Sequence, residues 1–289
     1  MKITAVVGVK DEVELIDACL AHLHRIGVSE IVVFDMGSTD GTLQRLHAHS
    51  REGALRLHEL SDRDPKLLQR ANELIQATLC STASDWVIFQ DADEFWIPAS
   101  GNLADCVERV ECELLSVPRY NVPVTPQRVC WPWPLAPSQY DRLWLFARKV
   151  PDLHRRLQSE VEVAWISGVP RPKIMARPGC IDGIRDGGHQ AVPRAGRTVR
   201  GHHPVDLLIA HVPFTSFERF QRKRSNIAQY LRHRDDPSLR AWHWRRWDGI
   251  EEQLALRAEF ERQLLTEEQL AALRTDATIR SAAEMLRTP

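Results

Sequence analysis

Two aspartates one residue apart, Asp91 and Asp93, leave the apolar run Trp86-Val87-Ile88-Phe89 with only Gln90 intervening, and Glu94-Phe95-Trp96 follows them. Carboxylates at the mouth of a buried strand suit a hard divalent cation, which prefers oxygen ligands and accepts phosphate oxygens as well. Such an ion neutralises charge that develops on a leaving diphosphate. A second polar cluster, Asp35-Met36-Gly37-Ser38-Thr39-Asp40-Gly41-Thr42, follows the run Ile31-Val32-Val33-Phe34. A carboxylate at Asp35 is placed to accept hydrogen bonds from the N–H groups of a base. The turn through Gly37, Ser38 and Asp40 presents backbone N–H groups at a helix start. Ser38 and Asp40 equally suit a helix cap. A third cluster, Lys10-Asp11-Glu12, follows Val9 at the end of the first apolar run.

These clusters sit at equivalent places in a repeating pattern. The β-branched run Ile3 to Val9 reads as a buried strand. Val13 to Ile26 carries Ile16, Leu20, Leu23 and Ile26 at helical spacing, with Gly27 at the stop. Glu30 to Phe34 is a second strand, and a helix through Leu43 and Leu46 follows. Ala54 to Leu60 is a third strand, Pro65 to Leu79 a helix, and Trp86 to Phe89 a fourth strand. Strand–helix repeats predict an α/β fold with a parallel sheet flanked by helices. Ligands of such sheets bind at the carboxyl ends of the strands, where the three clusters fall.

Past residue 115 the pattern breaks. Prolines at 118, 123, 126, 132, 134 and 137 cut through the Trp-rich segment Cys130-Trp131-Pro132-Trp133-Pro134. That density excludes long helices and central strands, so residues 118 to 200 read as short strands and loops. Val205 to Ala210 is a late strand ending at His211, Ser216 to His233 a helix, and Ile250 to Leu286 an amphipathic helical tail. The expected organisation is a catalytic domain over 1–235, with a nucleotide-binding half (1–115) and an acceptor-side half (116–235). A C-terminal helical extension covers 236–289.

Composition narrows the class. The chain has 289 residues, 43% hydrophobic and 27% charged, with a formal net charge of −1. That balance is ordinary for a globular protein and carries no bias toward nucleic acid or acidic membranes. The segment Trp242-His243-Trp244-Arg245-Arg246-Trp247 interleaves aromatic and basic side chains, as base-stacking surfaces do. The neutral charge favours a buried anchor with snorkelling arginines instead. The N-terminus lacks the pattern of a signal peptide. The longest apolar stretches, such as Val205 to Phe214, are too short to span a bilayer. Six cysteines without a Cys-x-x-Cys pair indicate neither a zinc site nor a disulfide framework, and predict a reducing, cytoplasmic setting.

Together the motifs resemble the family 2 glycosyltransferases, in the branch with a DxDEF signature. Asp91-Ala92-Asp93-Glu94-Phe95 matches that signature fully, and Asp35 to Thr42 matches the family's D-x-G-S-x-D-G-T segment. Val6 to Glu12 resembles its first strand and KNE turn, with Asp11 in place of the usual Asn. The resemblance is specific over residues 3 to 96 and returns at Gly188-His189-Gln190 and Ile209 to Lys223. It implies a GT-A-like, Rossmann-like fold and an inverting transfer of sugar from a UDP-, GDP- or dTDP-sugar donor. The acceptor, whether glycan, lipid-linked or protein, is left open. It also implies that Asp35 binds the nucleotide base, Asp91 the ribose or metal, and Asp93 the metal, Mn²⁺ or Mg²⁺. Val9, Asp11, Glu12, Gly37, Ser38, Asp40 and Ala92 would then line the nucleotide site.

Three further assignments follow from the returning segments. His211 stands where related GT-A enzymes carry a third metal ligand, and imidazole suits Mn²⁺ better than Mg²⁺. Where the family tends to place Arg-Ser or Lys-Ser, this chain has Thr215-Ser216. Arg219, Arg222 and Lys223 lie one turn further on and are candidates for the diphosphate, as is His189. The proton acceptor for the attacking hydroxyl is a carboxylate. Glu160, Glu162, Asp182, Asp186 and Glu94 all qualify, with Asp186 favoured beside the Gly187-Gly188-His189 turn. Two rivals are a nucleotidyltransferase and a non-catalytic glycan- or nucleotide-binding module. The acidic turn after the first strand disfavours the former, and the intact Asp91/Asp93 pair the latter.

Overall fold

The computed structural model describes residues 1–108, 110–126, 132–232 and 242–287. Its first half follows the strand–helix repeat. Strand β1 (Ile3–Val9) leads to α1 (Ile16–Arg25), β2 (Glu30–Asp35), α2 (Thr42–Arg51), β3 (Arg56–Glu59), α3 (Leu67–Ser81) and β4 (Trp86–Asp91). Helix α1 presents Ile16, Cys19, Leu20 and Leu23 to the sheet, and Gly27 ends it at φ +86°, a conformation glycine takes without steric cost. The two faces of β1 bury different sets. Ala5, Val7 and Val9 pack with α1, while Val6 joins Val32, Phe34, Val87 and Phe89 against Ile75 and Leu79 of α3.

After β4 come β5 (Glu94–Pro98), α4 (Leu103–Val107), β6 (Leu114–Val117), β7 (Arg119–Asn121), β8 (Trp144–Phe146), α5 (Leu153–Ser159) and β9 (Lys173–Ala176). The hairpin β10 (Ile181–Arg185) and β11 (Gln190–Pro193), then β12 (Gly201–His202) and β13 (Leu207–His211), complete the β elements of this region. The central sheet has order β12-β6-β9-β4-β1-β2-β3. Strands β3, β2, β1 and β4 are parallel, and β9 enters antiparallel between β4 and β6. The fold is therefore mixed α/β with a mainly parallel, helix-flanked sheet, as the sequence predicts. A smaller sheet, β5-β13-β7, lies beside it, with His211 opposite Glu94 on one side and Asn121 on the other.

Helix α6 (Phe217–Arg232) follows, then α7 (Trp242–Asp248), α8 (Gln253–Glu261), α9 (Glu267–Thr275), β14 (Ile279–Ser281) and α10 (Ala282–Arg287). The tail expected to be helical throughout is broken by β14, which pairs antiparallel with β8. Helices α8 and α9 share one core with Phe214, Phe217 and Phe220, while α10 packs in a second one with Tyr140, Leu143 and Leu145. Trp247 is buried in the first of these and donates through Nε1 to Glu259, and Arg246 also binds Glu259, at 2.7 Å. The segment's aromatic and basic residues thus serve as an anchor at Arg246 and Trp247. The side chains of Trp242, His243 and Trp244, and the pair Cys130-Trp131, lie outside the described residues. No described helix is long and apolar enough to cross a membrane.

Candidate active site

The parallel strands bring the three polar clusters to one edge of the sheet. The register pairs Val9 with Asp35 and Gly8 with Asp91, so the turns after β1, β2 and β4 open side by side. Local hydrogen bonds weld the first two turns together. The Ser38 hydroxyl accepts from Asp11 N at 2.9 Å, and Asp11 Oδ1 accepts from Thr39 N at 2.7 Å. Asp40 accepts from Thr42 N through one oxygen and from Val13 N through the other. Side chains expected to meet ligand are thus partly spent on structure: Ser38 and Asp40 fasten turns, and Asp11 links one turn to Asn226 of α6. Asp35 differs. Its Oδ1 accepts from Gly37 N and Ser38 N, whereas its Oδ2 is buried without a partner. An unsatisfied buried acceptor is costly, and marks a place where a ligand N–H would be welcome.

Around Asp93 stands a dense network of charge. Asp93 Oδ2 accepts from Lys223 Nζ at 2.6 Å and Arg219 Nη2 at 3.0 Å. Arg219 also grips Glu12, with Nε at 2.6 Å and Nη2 at 2.9 Å. Lys173, with a fully buried side chain, reaches Asp91 at 2.9 Å and Glu94 at 3.2 Å. Glu94 is closed off further by Arg119. Every carboxylate of this network therefore has its cation. Burial raises the Asp93 carboxyl, but the Lys223 and Arg219 cations beside it outweigh that and hold it well below the usual range. Asp91 is lowered too, because Lys173 outweighs burial. Burial wins at Glu12 and Glu94, whose carboxyls are pushed up.

The geometry corrects two expectations. Glu94 was a candidate proton acceptor, yet its side chain is wholly buried between Lys173 and Arg119 and cannot reach a substrate. Glu12 is likewise held by Arg219 rather than aimed at a ligand. Asp186, by contrast, lies at the surface at φ 52°, paired with Arg171 at 3.2 Å, in the turn between β10 and β11. Lys173 ties that turn to Asp91 by donating to Gly187 O at 2.6 Å. Gly188 is required there: a Cβ would lie 2.7 Å from Phe89 Cβ, and its φ is +85°. His189 binds Pro172 O through Nδ1, and burial, with Lys173 and Arg119 nearby, lowers its pKa.

Among the described residues, no three His, Cys, Asp or Glu side chains converge as a ready cation site. The expected trio is split. Asp91, with a side chain 52% exposed, turns to Lys173, while His211 Nε2 faces Asp93 Oδ1 at 3.6 Å. That facing pair fits a divalent cation: an imidazole nitrogen and a carboxylate oxygen look into one gap, and burial lowers the His211 pKa to about 4, keeping the imidazole neutral. Sequence reasoning missed Lys173, Arg119 and Asn121. They come from the Pro-rich middle, where no local pattern marks them.

Comparison with known proteins agrees with the class of activity that the motifs imply. Residues 3–115 match the model of glycosyltransferase family 92, where the motifs had pointed to family 2. No curated protein sequence matches the chain. Among solved structures, TarS 1–349 of S. aureus in complex with UDP-GlcNAc is 14% identical, with 96% of this chain and 84% of that one covered and a TM-score of 0.38. Glucosyl-3-phosphoglycerate synthase of Mycobacterium tuberculosis with phosphoglyceric acid is 16% identical, covering 82% and 81%, at 0.35. The same enzyme with Mn²⁺, UDP-glucose and phosphoglyceric acid is 18% identical, covering 62% and 57%, at 0.32.

Proposed function

We propose that the chain is an inverting, metal-dependent glycosyltransferase that binds a nucleoside-diphosphate sugar across the carboxyl ends of β2, β1 and β4. The observation that carries this reading is the pairing, at adjoining strand ends, of an unpartnered buried carboxylate oxygen at Asp35 with the facing donors of Asp93 and His211. The first suits a base N–H and the second a cation. The similarity of residues 3–115 to glycosyltransferase family 92 supports it, and the Asp91-to-Phe95 segment keeps the DxDEF branch of family 2 in view.

Charge balance explains the need for metal. The cations of the site are already matched by carboxylates, so a diphosphate arriving there meets no net positive charge. Asp93 and His211, joined by Asp91, would hold Mn²⁺ or Mg²⁺, which supplies the missing charge and polarises the leaving diphosphate. Lys223 is the network cation most open to water, with a side chain 25% exposed, and in this reading passes from Asp93 to a phosphate oxygen. Arg219 stays buried and keeps Glu12 and Asp93 apart. Asp186 is the carboxylate we assign to take the acceptor proton. The described cysteines are all unpaired, in keeping with the proposed cytoplasmic setting.

The test is release of nucleoside diphosphate from UDP-, GDP- and dTDP-sugars with Mn²⁺. Slow turnover of one donor, abolished in Asp93→Asn, is expected. Absence of both binding and release for all donors contradicts the proposal.

A further inference from the structure

We infer that Asn121 is a positioning residue that fixes the tautomer of His211, leaves Nε2 free to ligate metal, and ties the 164–168 loop to that atom. The inference rests on the reading of His211 as a metal ligand.

Asn121 ends β7, directly opposite His211 in the parallel register of β7 and β13, and is fully buried. Its Nδ2 donates to Ile166 O at 3.0 Å and Gly168 O at 2.9 Å, which uses both amide hydrogens. The orientation of the amide is therefore decided by its surroundings: reversed, Oδ1 would stand against two carbonyl oxygens. In this orientation Oδ1 lies 2.7 Å from His211 Nδ1 and has only lone pairs to offer. Nδ1 must carry the hydrogen. A neutral imidazole has one N–H, so Nε2 carries a lone pair, and it is Nε2 that faces Asp93 Oδ1 at 3.6 Å.

Two lone pairs facing one another across that gap repel unless a cation lies between them. Without Asn121 the other tautomer would be favoured, with Nε2–H donating to Asp93. Both donor atoms would then be spent on each other and withdrawn from the metal. A hydrogen bond to the far nitrogen is the usual way a protein aims a ligating histidine.

The same amide reaches toward the acceptor side. The 164–168 loop is held by Asn121 at its two carbonyls and by Gln263, whose Oε1 accepts from Ile166 N at 3.0 Å. The loop brings Trp165 edge-on to His211, with ring centroids 5.9 Å apart. Asn121 thus joins the metal-facing histidine to the loop that walls it.

Two measurements test this. Long-range ¹H–¹⁵N correlation spectra of the metal-free wild type report the His211 tautomer directly. Hydrogen on Nδ1 is expected, and hydrogen on Nε2 overturns the inference without any variant having to fold. Mn²⁺ titration followed by the free-ion EPR signal then compares wild type, Asn121→Leu, His211→Ala and the double variant. Asn121→Leu should bind Mn²⁺ about 10- to 100-fold more weakly, the usual cost of losing such an outer partner. The double variant should bind no more weakly than His211→Ala, because Asn121 acts through the histidine. Wild-type affinity in Asn121→Leu overturns the inference alone. A wild type that binds no Mn²⁺ overturns the reading of His211 as a ligand, and the inference falls with it.

Discussion

Asp93 is the residue on which the network turns, since Lys223, Arg219 and His211 all address it. Asp93→Asn keeps its shape and removes the charge. Glu12 still holds Arg219 and water still reaches Lys223, so no cation is stranded. The expected cost is about 1–3 kcal/mol of stability, as for other lost charged hydrogen bonds, with donor turnover abolished. Denaturant melts and product assays check the two parts separately. His211→Ala should weaken Mn²⁺ binding markedly in a titration, whereas His202→Ala and His203→Ala, on the exposed strand β12 and beyond it, should leave it near wild type. The buried histidines also predict a pH dependence. Burial lowers His22 and His211 each to about 4 from an ordinary value near 6.5. Between those limits the unfolded chain binds protons that the folded chain refuses. Stability should therefore fall as pH drops from about 6.5 to 4. Urea midpoints across that window check it, and His22→Gln should flatten the slope.

Among the elements, α6 acts as the cationic cover of the site. Ser216, just before it, and residues along it reach the turns of the sheet edge: Ser216 and Arg222 bind Glu14, Arg219 binds Glu12 and Asp93, Lys223 binds Asp93, and Asn226 binds Asp11. Arg219→Met should cost about 3–5 kcal/mol, because it strips Glu12 of its buried cation and Asp93 of one of two. Thermal unfolding against Lys223→Met, whose side chain is more exposed, measures the difference. Gly188→Ala should destabilise the β10–β11 turn and lower turnover by displacing Asp186, which kinetics and a melt can separate. This is also the scale at which the sequence speaks unevenly. Asp35, Asp91 and Asp93 are legible because a strand of apolar residues points at each, and the parallel sheet gathers strand ends. Lys173, Arg119 and Asn121 are not. Their partners Asp91, Glu94 and His211 lie 82, 25 and 90 positions away, and proline-broken segments give no periodicity from which to place them. Ser38, Asp40 and Glu12 were legible as polar clusters but not as structural fasteners, since a cap and a ligand contact use the same side-chain chemistry.

The molecule as a whole joins a mainly parallel sheet to a C-terminal segment that reaches back into the body. Strand β14 pairs with β8, Leu264 bridges to Val124, and Gln263 holds the loop that carries Trp165. The tail therefore steadies the 164–168 loop beside His211, a role its amphipathic pattern alone did not suggest. Across the whole site, acids and bases cancel, and in the proposed reading that balance is why an anionic donor would need a divalent ion. The most direct measurement is calorimetric titration of UDP and GDP into the wild-type chain, with Mn²⁺ and then with EDTA. One nucleotide should bind with Mn²⁺ at least tenfold more tightly than without, a difference of about 1.4 kcal/mol, and Asp93→Asn should erase the gap. Equal affinity with Mn²⁺ and with EDTA would contradict the account.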